Sequence, residues 1–414
     1  MTTIEASSTE GRPSGQPLTQ DTDQGLGRQT MIVVLCLGTF LATGNGVSIT
    51  PFLLQMADEL GTDLAAVGNL VAFMSVPWGI TSLVAGTASD RVGRKPILVA
   101  GLLVLVASLF GVAWSASYTW VAVWRTFGGI GGGAFMGTVF AAVADRFPSS
   151  ERGRALGWIV TGQSLSLVLG VPVVAYIGSL GGWRSAVVAQ GCATFVAAIA
   201  VWLAVPRRTS SRASAGAAAT SVLKVVDPRV LGLLGAGTME RVCYAGVVVF
   251  LATYLQISYG ISLEVIAIAL GIVSLGNLIG NLIGGYLTDR VSGRPLLAAA
   301  SLAASALVAP PLLLWQPGVA LTVALGLLYA TVNSLGRPAL LASLSEVSSE
   351  ARGALLGLNI TFASFGWIGA TALGGWLIAS FGFGGLATLT AATGLIGAAL
   401  ATASWFLGRS LART

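Results

Sequence analysis

Gly86-Thr-Ala-Ser-Asp90-Arg91-Val-Gly93-Arg94-Lys95-Pro96 comes back as Gly285-Tyr-Leu-Thr-Asp289-Arg290-Val-Ser-Gly293-Arg294-Pro295, at an offset of 199 to 200 residues. A second pair keeps that offset: Ser149-Ser150-Glu151-Arg152-Gly153 and Ser348-Ser349-Glu350-Ala351-Arg352-Gly353. Two matches at one spacing read as a tandem duplication, and these short basic stretches read as loops. What separates them is apolar.

The chain of 414 residues is 55% hydrophobic and only 9% charged, whereas a soluble domain carries roughly 25% charged residues. Uncharged runs cover 29–57, 64–89, 96–124, 126–144, 155–183, 185–206, 242–263, 265–288, 295–336 and 353–408. One crossing of a hydrocarbon core of roughly 30 Å takes about 20 mostly apolar residues. Eight runs therefore hold one span each. The last two divide, at Gln316-Pro317-Gly318 and at Phe381-Gly382-Phe383-Gly384-Gly385, which brings the total to twelve. Alternating strands of about 10 residues, the mark of a membrane β-barrel, are missing. The expected fold is an all-α membrane protein of twelve transmembrane helices in two pseudo-symmetric six-helix halves. Residues 1–29 read as a disordered tail, 30–205 as the first half, 206–228 as a linker, 229–408 as the second half and 409–414 as a short tail.

The formal charge of +6 reports orientation rather than nucleic acid. With an even number of spans, both termini share a side with the loops after spans 2, 4, 6, 8 and 10. Nearly all the arginines and lysines fall there. The opposite loops hold Arg184 with Asp58, Glu59, Asp63 and Glu264. The positive-inside rule puts the basic side in the cytoplasm, so both termini are expected inside a cell membrane, with the bilayer as surroundings and no nucleic-acid partner. Cys36, Cys192 and Cys243 read as small buried hydrophobes. Histidine is absent.

Gly86 to Pro96 matches G-x-x-x-D-R-x-G-R-K, and on it the chain resembles the major facilitator superfamily. Arg125 with Gly129 and Gly131 to Gly133 resembles that family's R-x-x-x-G-x-G motif in span 4. Gly170-Val171-Pro172, with Gly178 and Gly181-Gly182-Trp183-Arg184, is similar to span 5 of twelve-span drug/proton antiporters, although Val171 parts a usually adjacent Gly-Pro pair. Arabinose-efflux-like and chloramphenicol-efflux-like permeases are the nearest branch by resemblance. The likeness implies a monomeric transporter with no cofactor, driven by a proton gradient, whose spans 1, 4, 7 and 10 line a central passage. It also implies that Gly86, Asp90, Arg91, Gly93, Arg94 and Lys95 form a conformational latch, in which Asp90 accepts hydrogen bonds from the start of span 11 near Arg352-Gly353. By their own chemistry those residues are equally a topology anchor: Gly93 allows a tight reversal, and the basic cluster can snorkel to headgroups.

Glycines 129, 133 and 137 in span 4, and 276, 280 and 284 in span 8, recur every four residues and open a groove for a neighbouring helix; sliding of the halves is a secondary use. Pro172 favours a kink. Charges inside the membrane are costly and mark sites, and they are few: Arg125, Glu240, Arg241 and, near a span end, Arg337. Glu240 is the one acid placed deep in an expected passage-lining span, because span 1 has none. A self-satisfied Glu240–Arg241 pair and a substrate or proton site both remain open for it. Arg337 reads equally as a snorkelling anchor. Asn45, Gln163, Tyr244 and Asn333 are polar neighbours that complete the candidate set. Asn277 and Asn281 read as helix–helix hydrogen-bond partners.

An intramembrane enzyme is disfavoured, since histidine and paired carboxylates are missing. A channel does not suit a two-fold repeat. The expected function is proton-coupled efflux of a small amphipathic organic molecule, a drug or sugar derivative, by alternating access. Uptake of a small metabolite on the same fold is the alternative.

Overall fold

The computed structural model describes residues 18–206, 227–347 and 352–411; within these, the side chains of 18–26, 149–150, 352–354, 356 and 410–411 fall outside the description. The chain is helical throughout the described residues. Span 1 runs over Leu18–Val47, breaks, and resumes as Leu53–Leu60; spans 2, 3 and 4 are Leu64–Val92, Arg94–Trp114 and Tyr118–Arg146. Spans 5 and 6 follow from Ser149–Leu165 through Val171–Ala204, and spans 7, 8 and 9 are Pro228–Tyr259, Leu263–Arg290 and Arg294–Leu314. Span 10 is Val319–Leu335 continued by Arg337–Ser345, and spans 11 and 12 share Arg352–Leu411.

Two long helices are really pairs. Val171–Ala204 turns at Gly181–Gly182, and Arg352–Leu411 turns at Gly382. Gly182 and Gly382 have φ of 77° and 62°, a region open to glycine and strained for other residues. They stand one repeat offset apart, so the hairpins between spans 5 and 6 and spans 11 and 12 are the same device used twice. Counting them gives the twelve spans expected.

Local chemistry sets the other boundaries. Asp63 accepts from Ala66 N at 2.6 Å to start span 2, and Asp227 accepts from Val230 N at 2.8 Å to start span 7, with Pro228 in the first turn. Both are N-caps. Pro51 cannot donate and splits span 1. Before Pro172 the helix widens into one π turn, Ser166–Gly170, which absorbs the proline without a sharp bend.

Two expectations change. The first helix begins at Leu18 rather than near residue 30. Residues 1–17, 207–226 and 412–414, which hold most of the expected tails and linker, lie outside the described residues. Of the cysteines only Cys243 is buried; Cys36 is half-buried and Cys192 exposed, as suits an outer face that meets lipid instead of water.

The glycine stripes hold each half together. A Cβ on Gly129, Gly133 or Gly137 would lie 2.2–2.5 Å from the carbonyl oxygens of Met74, Trp78 and Ser82 on span 2. On Gly276, Gly280 or Gly284 it would lie 2.1–2.4 Å from those of Leu327, Thr331 and Leu335 on span 10. Each stripe therefore joins two helices of one half. Sliding of the halves is not what they serve.

Between halves, span 2 meets span 11 and span 5 meets span 8. Gln256 of span 7 donates to the Pro51 carbonyl at 3.1 Å. One apolar cluster includes Val47, Phe52 and Met56 of the first half with Phe250 and Leu255 of the second. Toward the termini the second half keeps a separate cluster, Val230, Leu233 and Leu344 among them. Every residue of span 7 from Glu240 to Leu255 except Val248 is buried. The halves are packed shut at the end away from the termini.

Candidate functional site in the second half

Glu240 lies twelve residues into span 7, roughly 18 Å along the helix at 1.5 Å per residue. It is 2% exposed and Arg241 5%. Neighbours in a helix normally point apart, yet Arg241 folds back to grip Glu240 with both prongs: Nε donates to Oε2 at 2.5 Å and Nη2 to Oε1. The guanidinium lies over the Tyr244 ring, 4.9 Å from its centroid, and Trp367 of span 11 meets that ring edge-on at 6.4 Å. Span 11 comes this close because Gly366 faces Arg241; a Cβ there would meet the Arg241 Cβ at 2.4 Å.

Span 10 supplies the facing wall. Tyr329 donates its hydroxyl to the Cys243 carbonyl at 2.7 Å, and Asn333 and Arg337 follow at intervals of four on the same helix face. Pro338 ends the first segment of span 10 and lets Arg337 begin the second. A recess of about 20 Å³ is lined by Gly237, Glu240, Arg241, Arg337 and Asn359 of span 11. Arg337 thus shares the recess with Glu240 and Arg241. Asn359 went unnoticed in the sequence, although it is the one amide in the uncharged run 353–408. Asn333 is fully buried, and neither its amide nitrogen nor its oxygen has a partner among the described residues.

Arg125 is elsewhere and differently occupied. It is 2% exposed and donates to the carbonyls of Asn45 at 2.9 Å, Gly46 at 3.2 Å and Leu70 at 3.3 Å, and to Asn45 Oδ1 at 3.3 Å. Asn45 and Gly46 belong to the last turn of the first helix, where Pro51 leaves carbonyls without a helical donor. A helix C-terminus is also the negative end of its dipole. Arg125 therefore caps a broken helix and ties span 4 to spans 1 and 2. The structure does not bring Arg125 or Asn45 to Glu240. Gln163 is half-buried on span 5, with no hydrogen bond among the described residues.

In the loop after span 2, Arg94 is not a free headgroup anchor. It reaches Asp90 at 2.5 Å, Asp145 at 2.8 Å, Ser89 Oγ at 2.5 Å and the Gly86 carbonyl at 3.2 Å. Gly93 turns with φ 103°. Arg91 stays exposed, and Lys95 lies 5.8 Å from the Trp202 ring centroid. The side chains at Arg352 and Gly353, where the latch would close, lie outside the described residues. In span 5, Pro172 presses on span 8, 3.2 Å from where a Gly271 Cβ would stand. Asn277 donates to Ser334 Oγ of span 10 at 2.6 Å, the helix–helix bond expected of it, whereas Asn281 donates to Asn277 Oδ1 at 3.2 Å within span 8 and does not cross between helices.

Twelve spans in two repeated halves, with a polar cluster inside one of them, define a membrane transporter fold. The chain belongs to the Major Facilitator Superfamily, whose profile matches residues 35–256 and 230–413. A D-xylose–proton symporter superposes with a TM-score of 0.75 at 18% identity, covering 90% of this chain and 96% of that one. A bacterial homolog of the human lysosomal transporter Spinster, inward-facing and unoccupied, gives 0.73 at 17% identity, covering 92% and 96%. In sequence, Multidrug resistance protein 1 of Bacillus subtilis is 25% identical over 84% of this chain and 89% of its own. The Chloramphenicol resistance protein of Streptomyces lividans is 24% identical over 60% and 64%. The MFS-type transporter YwfA of Bacillus subtilis is 29% identical, and the match spans only 37% of each chain.

Proposed function

We propose that this protein works in the cell membrane as a monomer, termini in the cytoplasm, as a secondary transporter that exports a small amphipathic organic molecule, a drug or sugar derivative, in exchange for protons. No cofactor is needed; the proton gradient drives it. The Glu240–Arg241 pair carries the reading. A carboxylate buried within a span expected to line the passage is a group whose protonation can differ between the two faces, and a cation beside it gives that protonation a structural consequence. The names of the multidrug and chloramphenicol resistance relatives support export. Asp90 is the proposed latch, closing on the start of span 11.

A second reading, proton-coupled uptake of a metabolite, is favoured by one observation: Arg337 makes the recess net positive. Glu240→Gln keeps the shape and removes the titration. In proteoliposomes the variant is expected to lose uphill transport on an imposed pH gradient while still equilibrating substrate downhill. Uphill transport at the wild-type rate would show that Glu240 only holds the helix in place.

A further inference from the structure

Two cations and one acid face the recess between spans 7, 10 and 11. The acid is taken, since both Glu240 oxygens accept from Arg241. Arg337, within electrostatic reach of all of Glu240, Arg241 and Tyr244, meets no carboxylate and makes no hydrogen bond among the described residues. Its five donors and one positive charge are left over. Asn333, one turn away on the same face, has a wholly buried amide with no partner on either atom among the described residues, and a buried polar group in that state costs about 1–3 kcal/mol unless something fills the gap. Asn359 adds a further amide to the wall. A surplus arginine and the Asn359 amide at a recess of about 20 Å³ suit the charged end of a molecule, with the remainder lying in the passage between the halves.

We propose that the recess binds the anionic end of a small organic acid, a carboxylate, sulfonate or phosphonate, held chiefly by Arg337 with Asn359 beside it. The inference rests on Glu240 and Arg241 being at the transport site and names the substrate class of that site. It also fixes the sign of coupling. Besides Glu240, the charged and titratable groups around the recess are Arg241, Cys243 and Tyr244 on span 7 and Tyr329 and Arg337 on span 10; the facing parts of spans 9, 11 and 12 carry none. When a proton neutralises Glu240, Arg241 is released and two arginines face the anion. Proton and anion then strengthen each other's binding and travel together, as in the second reading above, so on the direction of coupling the inference rests on that reading rather than on export.

The test is binding to the purified full chain in lipid nanodiscs, with benzoate, benzenesulfonate and phenylphosphonate as probes against neutral benzamide and cationic benzylamine. At least one anion is expected to bind, at least about tenfold tighter than benzamide or benzylamine, the worth of a charge-assisted contact. Arg337→Gln should weaken it by about tenfold or more, the loss of a charge-assisted contact, and Arg337→Lys should restore part of the affinity, which guards against mere misfolding. Glu240→Gln removes the carboxylate that holds Arg241 and should bind the anion at least as tightly. Benzamide or benzylamine binding as tightly as every anion, or no anion binding at all, overturns the proposal. If anions fail to bind while Glu240→Gln still abolishes uphill transport, the substrate class is wrong and the coupling role stands. Anion binding beside unimpaired uphill transport in Glu240→Gln upholds the substrate class and removes the coupling role.

Discussion

The two halves are built on one plan and treat buried charge in opposite ways. In the first, Arg125 has no acid near it and needs none, because a proline-broken helix offers carbonyls at its negative end. In the second, Arg241 is neutralised by Glu240, and Arg337 is left facing a recess. The first cation is structure. The second half holds a surplus charge on the wall of a recess, and the proposed site is placed there. Duplication therefore fixed the scaffold and left each copy to specialise.

The scaffold itself is shared in outcome rather than in residues. Spans 2 and 4 approach through glycines on span 4, while spans 8 and 10 approach through glycines on span 8, so the stripe has changed partners between copies. The comparison predicts equal damage on both sides. Gly133→Leu and Gly280→Leu should each abolish folded, monodisperse protein in size-exclusion chromatography. A carbonyl at 2.5 Å or less from the new Cβ exceeds the ordinary overpacking cost of roughly 1–3 kcal/mol. Survival of one variant alone would mean that the halves do not bear equal load.

Removal of the capping arginine should cost less. Arg125→Met leaves buried acceptors unpaired, a loss of roughly 2–4 kcal/mol, read as a lower melting temperature in detergent that Arg125→Lys only partly recovers. If melting is unchanged while transport is lost, Arg125 belongs to the passage after all and the contrast between halves dissolves. The smallest effect falls on the repeated loops. Arg94 serves two carboxylates, a hydroxyl and a carbonyl, whereas Arg294 serves Glu346 and the Thr288 carbonyl. Both are partly exposed, so Arg94→Gln should destabilise by about 1 kcal/mol and Arg294→Gln by less. The reverse order would show that the second loop is the structural one.

Much of this was legible in the sequence because membrane spans announce themselves by length, and repeats by offset. The break at Gly382, the stripes at 129–137 and 276–284, and the shared face of Asn277 and Asn281 each follow from local spacing. The site was legible only in part. Glu240 and Arg241 stood out as charges in an apolar run, and Tyr244 follows them at helical spacing. That Arg125 serves a helix end depends on where span 1 breaks in space, and that Arg337 faces Glu240 depends on the packing of spans 7 and 10. Neither is a property of neighbours in the chain. Asn333 was picked for its polarity; that it lacks a partner is visible only once every other donor and acceptor has been placed.

The glycine stripes have one more consequence. Where a carbonyl oxygen sits just beyond a glycine, it faces the Cα–H bonds themselves, and each such Cα–H···O contact contributes about 0.5–1 kcal/mol. Six carbonyls are met this way, three in each half. These weak bonds run between backbones and owe nothing to side-chain rotamers. They fuse spans 2 with 4 and 8 with 10 into stiff two-helix blades. Any rearrangement that exposes Glu240 must then bend or part the molecule elsewhere, at the contacts of span 2 with span 11 and span 5 with span 8, where Ser364 stands against Gly79 and Pro172 against Gly271.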